Sequence, residues 1–235
     1  MQHRPVMRQS WQRASFLHWA YDPADVQRLL PRGLQVDTYD GMAWVGLVAF
    51  EMVDIALAGL PPIPHLGTFP ETNVRTYVRG PDGTPGVWFH SLEAERLVPV
   101  LVARVAYRLP YFWSQMQVTG TSRGIRYVSK RRWPGPRGIG GPIEVEIGEP
   151  IGFLGSLEAF LTARWRLFTV SNRRIRSAEV THPTWPLHRA LATEVSIDLV
   201  TAAGYPRPVG APLALYSPGV PVAVTTPRTV ARLPG

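Results

Sequence analysis

Between Phe69 and Phe112 the chain reads FPETNVRTYVRGPDGTPGVWFHSLEAERLVPVLVARVAYRLPYF, and the strict alternation at its start limits the fold most. Side chains alternate along a strand, so Glu71, Asn73, Arg75 and Tyr77 share one face. Thr72, Val74, Thr76 and Val78 share the other. A Val and Thr row suits packing on a core, whereas a Glu-Asn-Arg-Tyr row suits water or a polar cavity. The segment therefore belongs in a sheet and makes a credible site wall. Glu71 and Arg75 lie ~13 Å apart by strand rise, too far to pair directly. Each needs its own partner or a ligand.

After this strand, RGPDGTPG reads as a turn and GVWFHSL as its return strand. Residues from Leu92 to about Tyr107 read as a helix, with Pro99 either kinking it or marking its true start. Leu109-Pro110 ends it. YFWSQMQV and IRYVSKRR form a second hairpin, and IEVEIGEP is a further alternating strand. Upstream, residues 5–19 are an extended entry strand. Asp22-Pro23 opens a short helix, because Asp caps and Pro suits the first helical position. Asp40-Gly41 is a tight hairpin turn. The arm that follows it, from Ala43 to Phe50, is apolar on both faces and so belongs at the centre of a sheet. Downstream, Ser156 caps the helix SLEAFLTARW, RLFTV and RIRSAEVTH are strands, WPLHRAL is a turn of helix, and EVSIDLV and PLALYSPGVPVAV are strands.

The 24 prolines and 21 glycines are scattered, as many turns between short strands require. The expectation is one β-rich α+β domain over residues 1–235, with residues from about 225 to 235 a mobile tail. A 45% hydrophobic content supplies a core. No apolar run reaches the ~18 residues of a membrane span, and the amino terminus lacks an apolar signal segment. The expected setting is soluble and cytoplasmic, without a membrane partner.

The net charge of +8 is almost all arginine, with Lys130 the sole lysine. No nucleic-acid-binding signature accompanies the charge, so nucleic acid is not the expected partner. The absence of cysteine excludes disulfides and thiolate metal sites. Phosphate-loop, dinucleotide, zinc-protease and serine-elbow motifs are all missing. The histidines at 3, 18, 65, 90, 182 and 188 show no metal-ligand spacing. His18 and His182 read first as hydrogen-bonded structural residues. No metal and no cofactor is expected. Arg104 and Arg164 read as helical arginines beside Tyr107 and Trp165. A buried arginine requires an acceptor, and Glu71 is a natural candidate for one of them.

Seven pieces carry a family resemblance: LHW (17–19), LLPRGLQVDTYDGMAWVGLVAF (29–50), FPETNVRTYV (69–78), GVWFHSL (86–92), ARVAYRLPY (103–111), SLEAFLTARW (156–165) and HPTWPL (182–187). In order along nearly the whole chain, they resemble the YqjF-like family of uncharacterised bacterial proteins. That family is remotely similar to the acetoacetate decarboxylase superfamily, which implies an antiparallel β barrel or cone around an internal cavity, with a few peripheral helices. In this resemblance Glu71 stands where the decarboxylases have a strand glutamate facing the site. Arg104, Tyr107 and Pro110 are similar to the decarboxylase helix leading into Pro-Lys-Lys. The next two positions depart from it, because Tyr111-Phe112 stand where the Schiff-base lysine and its neighbour would be. A tyrosine forms no iminium with a keto acid. Lys130, which opens a Lys-Arg-Arg run before the Trp-Pro-Gly loop, reads as solvated.

The first functional expectation is thus a small-molecule pocket protein that binds an organic anion or keto-type compound without lysine chemistry. Arg104 and Arg75 would hold a carboxylate, with Glu71, Asn73, Tyr77, Tyr111 and His18 as further ligand-binding candidates. A homo-oligomer is compatible with it. The second expectation is a non-catalytic structural or interaction protein whose polar row is an internal ion-pair network. The third is an arginine-driven binder of anionic polymers.

Overall fold

The computed structural model describes residues 4–57, 59–62, 67–97, 100–101, 104 and 107–233. Fourteen strands are present among them: β1 (Met7–Tyr21), β2 (Gln35–Val36), β3 (Thr38–Tyr39), β4 (Met42–Leu57), β5 (Phe69–Arg79), β6 (Pro85–Ala94), β7 (Tyr111–Gly120), β8 (Gly124–Trp133), β9 (Pro142–Pro150), β10 (Arg166–Ser171), β11 (Arg174–Thr181), β12 (His188–Val195), β13 (Leu213–Val224) and β14 (Arg228–Arg232). Three short helices lie wholly among the described residues: α1 (Pro23–Gln27), α2 (Ser156–Thr162) and α3 (Asp198–Ala202).

All strands join one sheet, and extra pairings between β5 and β6 and between β11 and β13 close it on itself. The closures make two rings. One runs β13-β1-β4-β5-β6-β10-β11, and the other β13-β1-β4-β5-β6-β7-β8-β9-β12. The sheet forks at β6, which pairs in parallel with β10 at Val87 and Trp88 and with β7 from Leu92 to Ala94. It forks again at β13, which takes β12 at Leu215 and Tyr216 and β11 at Ala223 and Val224. The five shared strands therefore show one face to each ring. Phe16, Val48 and Phe50 fall in the core of the first ring, and Leu17, Val45, Leu47 and Val74 in that of the second. This is why the arm from Ala43 to Phe50 is apolar on both faces. It lies between β1 and β5.

The expected hairpin turn is present: Asp40 and Gly41 have φ of 51° and 73° between β3 and β4, the left-handed pair such a turn requires. Asp22 caps α1 by accepting from the Ala24 amide at 2.7 Å.

Several local expectations are corrected. Leu92 to Ala94 continue β6, and among the described residues of this stretch those at 97, 100, 101 and 104 are helical, while Pro99 lies outside the described residues. Ser156 is the first residue of α2, whose cap is Gly155; the Ser156 hydroxyl instead meets that of Tyr39 at 2.5 Å. His188 to Leu191, expected to be helical, open β12, because they pair with β9 on one side and, at His188 and Arg189, with β13 on the other. Asp198 to Val200, expected to end a strand, instead open α3 and bury Leu199 and Val200 in the second ring. Arg228 to Arg232, within the expected tail, pair with β11 as β14. No helix among the described residues is long and apolar enough to cross a membrane.

Candidate functional site

The interior of the first ring is not filled. A cavity of about 230 Å³ lies between β1, β4, β5, β6, β10, β11 and β13. Its walls are mostly apolar, with Trp11, Phe16, Phe50 and Trp185 among the aromatic side chains. The polar wall is β5, whose Glu71, Asn73 and Arg75 line the space while being 2%, 3% and 8% exposed. They are buried together because β5 is shared by the two rings, so each of its faces points into an interior.

Glu71 has no arginine partner among the described residues. Its carboxylate accepts from the Tyr111 hydroxyl at 2.8 Å and from Asn73 Nδ2 at 3.4 Å. Burial pushes its pKa up from 4.5 to about 7, and the Tyr111 and Asn73 hydrogen bonds oppose that rise only in part. Tyr111 is driven well above an ordinary phenol by its own burial and then by the Glu71 charge. The pair is thus a carboxyl poised near neutrality beside a phenol that keeps its proton.

Arg75 is the opposite case, a buried cation with no carboxylate partner among the described residues. Its Nη2 donates to the Leu161 carbonyl at 3.2 Å, and the guanidinium lies 5.6 Å from the Phe16 ring centroid. Its Nε has no hydrogen-bond partner there. Three other orphaned atoms also belong to cavity-lining residues: Gln9 Oε1, Trp11 Nε1 and Asn73 Oδ1. Buried polar groups are normally satisfied, so four such atoms around one cavity call for an explanation.

Behind Arg75, the Tyr77 hydroxyl donates to the Leu161 carbonyl at 2.7 Å and contacts His18 Nε2 at 2.6 Å. Since Tyr77 has given its proton to the carbonyl, His18 must donate from Nε2, which fixes its tautomer. Burial, then the nearby Arg75 charge, holds His18 neutral well below its usual range. His182 lines the cavity, with Nδ1 2.8 Å from the Pro183 carbonyl and Nε2 3.4 Å from that of Arg164. It too is lowered, by burial first.

Two comparisons establish the kinship. The family model DUF2071, described as an uncharacterized conserved protein, matches residues 8–221. YqjF of Bacillus subtilis (strain 168) is 36% identical over 220 residues, covering 90% of this chain and 87% of that protein. The chain belongs to the DUF2071 family. Its fold is that of the acetoacetate decarboxylases. The enzyme from Legionella pneumophila subsp. pneumophila str. Philadelphia 1 superposes with a TM-score of 0.64 at 12% identity, over 99% of this chain and 90% of its own. The enduracididine biosynthesis enzyme MppR complexed with pyruvate gives 0.60 at 13% identity, over 99% and 92%. At these identities the likeness concerns fold alone.

Of the residues singled out from sequence, Glu71, Asn73, Arg75 and Tyr111 meet at the cavity. Tyr77 and His18 lie behind Arg75 and do not line it. Arg104 does not line it either: its Nη1 donates to the Tyr111 carbonyl, and its guanidinium lies 5.5 Å from the Trp133 ring centroid. Nor does Arg164 pair with Glu71. It donates to Asp37 Oδ2 at 2.7 Å, and Asp37 also accepts from Arg79 at 2.9 Å. Lys130 is exposed on β8 opposite Gln115 of β7, away from the cavity. His3 and His65 lie outside the described residues. Sequence reasoning missed the aromatic body of the cavity, made by Trp11, Phe50 and Trp185. These residues come from separate segments, and only the ring closure brings them together.

Proposed function

We propose that this protein binds a small organic carboxylate in the first ring, with Arg75 as its counter-ion, and that no covalent lysine chemistry takes place there. The observation that carries the reading is Arg75 itself, a buried guanidinium facing the cavity without an ion-pair partner among the described residues. A buried charge is costly unless paired and hydrogen-bonded, and a ligand carboxylate would supply both. Mostly apolar walls with a few convergent polar groups are what a small-molecule site needs. Glu71 and Tyr111 would add a hydrogen-bonding and proton-exchanging pair, the carboxyl near neutrality and the phenol protonated. That MppR has been obtained with pyruvate bound supports the use of such a fold for a carboxylate.

The alternative, a polar row serving as an internal ion-pair network, has less support. Ion pairs do exist nearby, between Arg164 and Asp37 and between Arg131 and Glu93, but neither Glu71 nor Arg75 takes part.

A thermal-shift panel of monocarboxylates tests the reading, because a ligand of the native state alone raises the apparent melting temperature. The expected outcome is stabilisation of the wild type by at least one acid, lost in Arg75→Met. Borohydride added with acetoacetate should leave the mass unchanged, since reduction requires an iminium. A reduced adduct at Lys130, or equal shifts in Arg75→Met, would overturn it.

A further inference from the structure

The cavity is graded along its length. Strand register puts Arg75 opposite Gly46, Asn73 opposite Val48, Glu71 opposite Phe50 and Phe69 opposite Met52. On the other side of β4, Phe16 faces Val48, Trp11 faces Met52 and Met7 faces Leu57. Arg75 therefore sits at one end, closed in by Phe16, Tyr77 and the end of α2, while the two other arginines of the lining, Arg164 and Arg166, already have carboxylate partners in Asp37 and in Asp82 and Glu179. Beyond Glu71 the lining passes through Trp11, Phe50 and Met52 to Ile55, Leu57 and Val224. Leu57 is 51% exposed and Met7 partly so, and they mark the end that opens outward.

A compact keto acid held at Arg75 would leave this apolar length unoccupied. Resting on the carboxylate reading above, we propose that the ligand is an amphiphilic monocarboxylate. Its carboxylate lies at Arg75, and an alkyl or aryl body runs past Trp11, Phe50 and Met52 toward Leu57. Transfer of apolar surface from water supplies most of the affinity, and the arginine sets the orientation. Glu71 is compatible with such a neighbour in its protonated form, hydrogen-bonded to Tyr111 and Asn73. Gln9 Oε1 and Trp11 Nε1, both without partners among the described residues, leave room for one polar substituent part-way along the body.

The experiment is calorimetric titration at pH 6 with straight-chain acids from acetate to dodecanoate, the matching primary alcohols, pyruvate and acetoacetate. It uses the wild type, Arg75→Met and Leu57→Glu, with circular dichroism as the check on folding. The expected result is affinity rising about fourfold per methylene, the ratio equivalent to ~0.8 kcal/mol for a buried CH2, until the cavity is full. Leu57→Glu should weaken the long acids at least tenfold and leave the short ones unchanged, and because Leu57 is half exposed this variant should fold. Pyruvate or acetoacetate binding as tightly as decanoate, or no dependence on length, would overturn the inference while leaving the carboxylate reading intact. Alcohols binding as well as acids, with no effect of Arg75→Met, would overturn the carboxylate reading instead. No binding by any compound would overturn both.

Discussion

Glu71 and Arg75 are opposite charges four residues apart on one strand, buried in the same cavity, and without an ion pair between them. Strand rise keeps them apart, and both keep their separate environments. For Glu71 the consequence is measurable. Its folded pKa, raised by burial to about 7 from 4.5, means that the folded chain holds this proton more tightly than the unfolded chain does. The stabilisation from that proton is complete below about pH 4.5, declines as pH rises and is lost above about 7. Its size is on the order of 3 kcal/mol. Denaturant midpoints between pH 4.5 and 8 should therefore fall for the wild type relative to Glu71→Gln, which keeps an acceptor for Tyr111 and cannot ionise. A difference curve that stays flat across this window would show that Glu71 titrates normally. The shared face of these residues was legible in the sequence because strand period alone assigns it. The partners of Arg104 and Arg164 were not, because Tyr111 and Asp37 reach them through tertiary packing that spacing along the chain does not encode.

At the scale of elements, β4 shows how closely neighbouring strands are matched. Gly46 faces the first ring opposite both His18 of β1 and Arg75 of β5. A Cβ placed there would lie 2.9 Å from His18 Nε2 and 3.6 Å from Arg75 Cγ. The His18 ring is fixed by Tyr77 and fully buried, so it has little freedom to retreat. Gly46→Ala should therefore destabilise the protein by about 1–3 kcal/mol through overpacking, despite the better strand propensity of alanine. Chemical denaturation checks the size, and the His18 imidazole NMR signals should report the loss of its bond to Tyr77. Melting equal to or above the wild type would mean that β1 and β4 separate more freely than their register implies. Most strands could be read from the chain because alternation and turn residues agree over β5, β7, β8 and β9, and an apolar run after the Asp40-Gly41 turn marks β4. The segments read wrongly are short ones. Asp198–Ala202 has only five residues in which helix and strand periods could differ, and its tertiary contacts decide. His188–Val195 is an exposed, weakly alternating strand held by its pairing with β9.

At the scale of the molecule, the two rings share five strands, so neither can open without exposing the wall of the other. The second ring has its own buried charge pair, separate from the cavity. Arg131 of β8 donates to both oxygens of Glu93 on β6, and the Ser114 hydroxyl donates to Glu93 Oε2 at 2.7 Å. Arg131 is 6% exposed and Glu93 fully buried, and the guanidinium lies 3.6 Å from the Phe112 ring centroid. Removing one partner strands the other, so Glu93→Ala should cost about 3–5 kcal/mol, whereas the double replacement Glu93→Leu with Arg131→Met should recover most of that loss. The shared strands determine how the cost is distributed. If the rings unfold together, amide exchange through global opening should accelerate by the same factor in β10 and β11, which wall only the first ring, as in β8 and β9, which wall only the second. The measurement is native-state hydrogen exchange on the wild type and Glu93→Ala under conditions where the slowest amides report global unfolding. Acceleration confined to β8 and β9 would show two separately unfolding units. Equal acceleration would mean that a ligand held in the first ring also stabilises the second, through β1, β4, β5, β6 and β13.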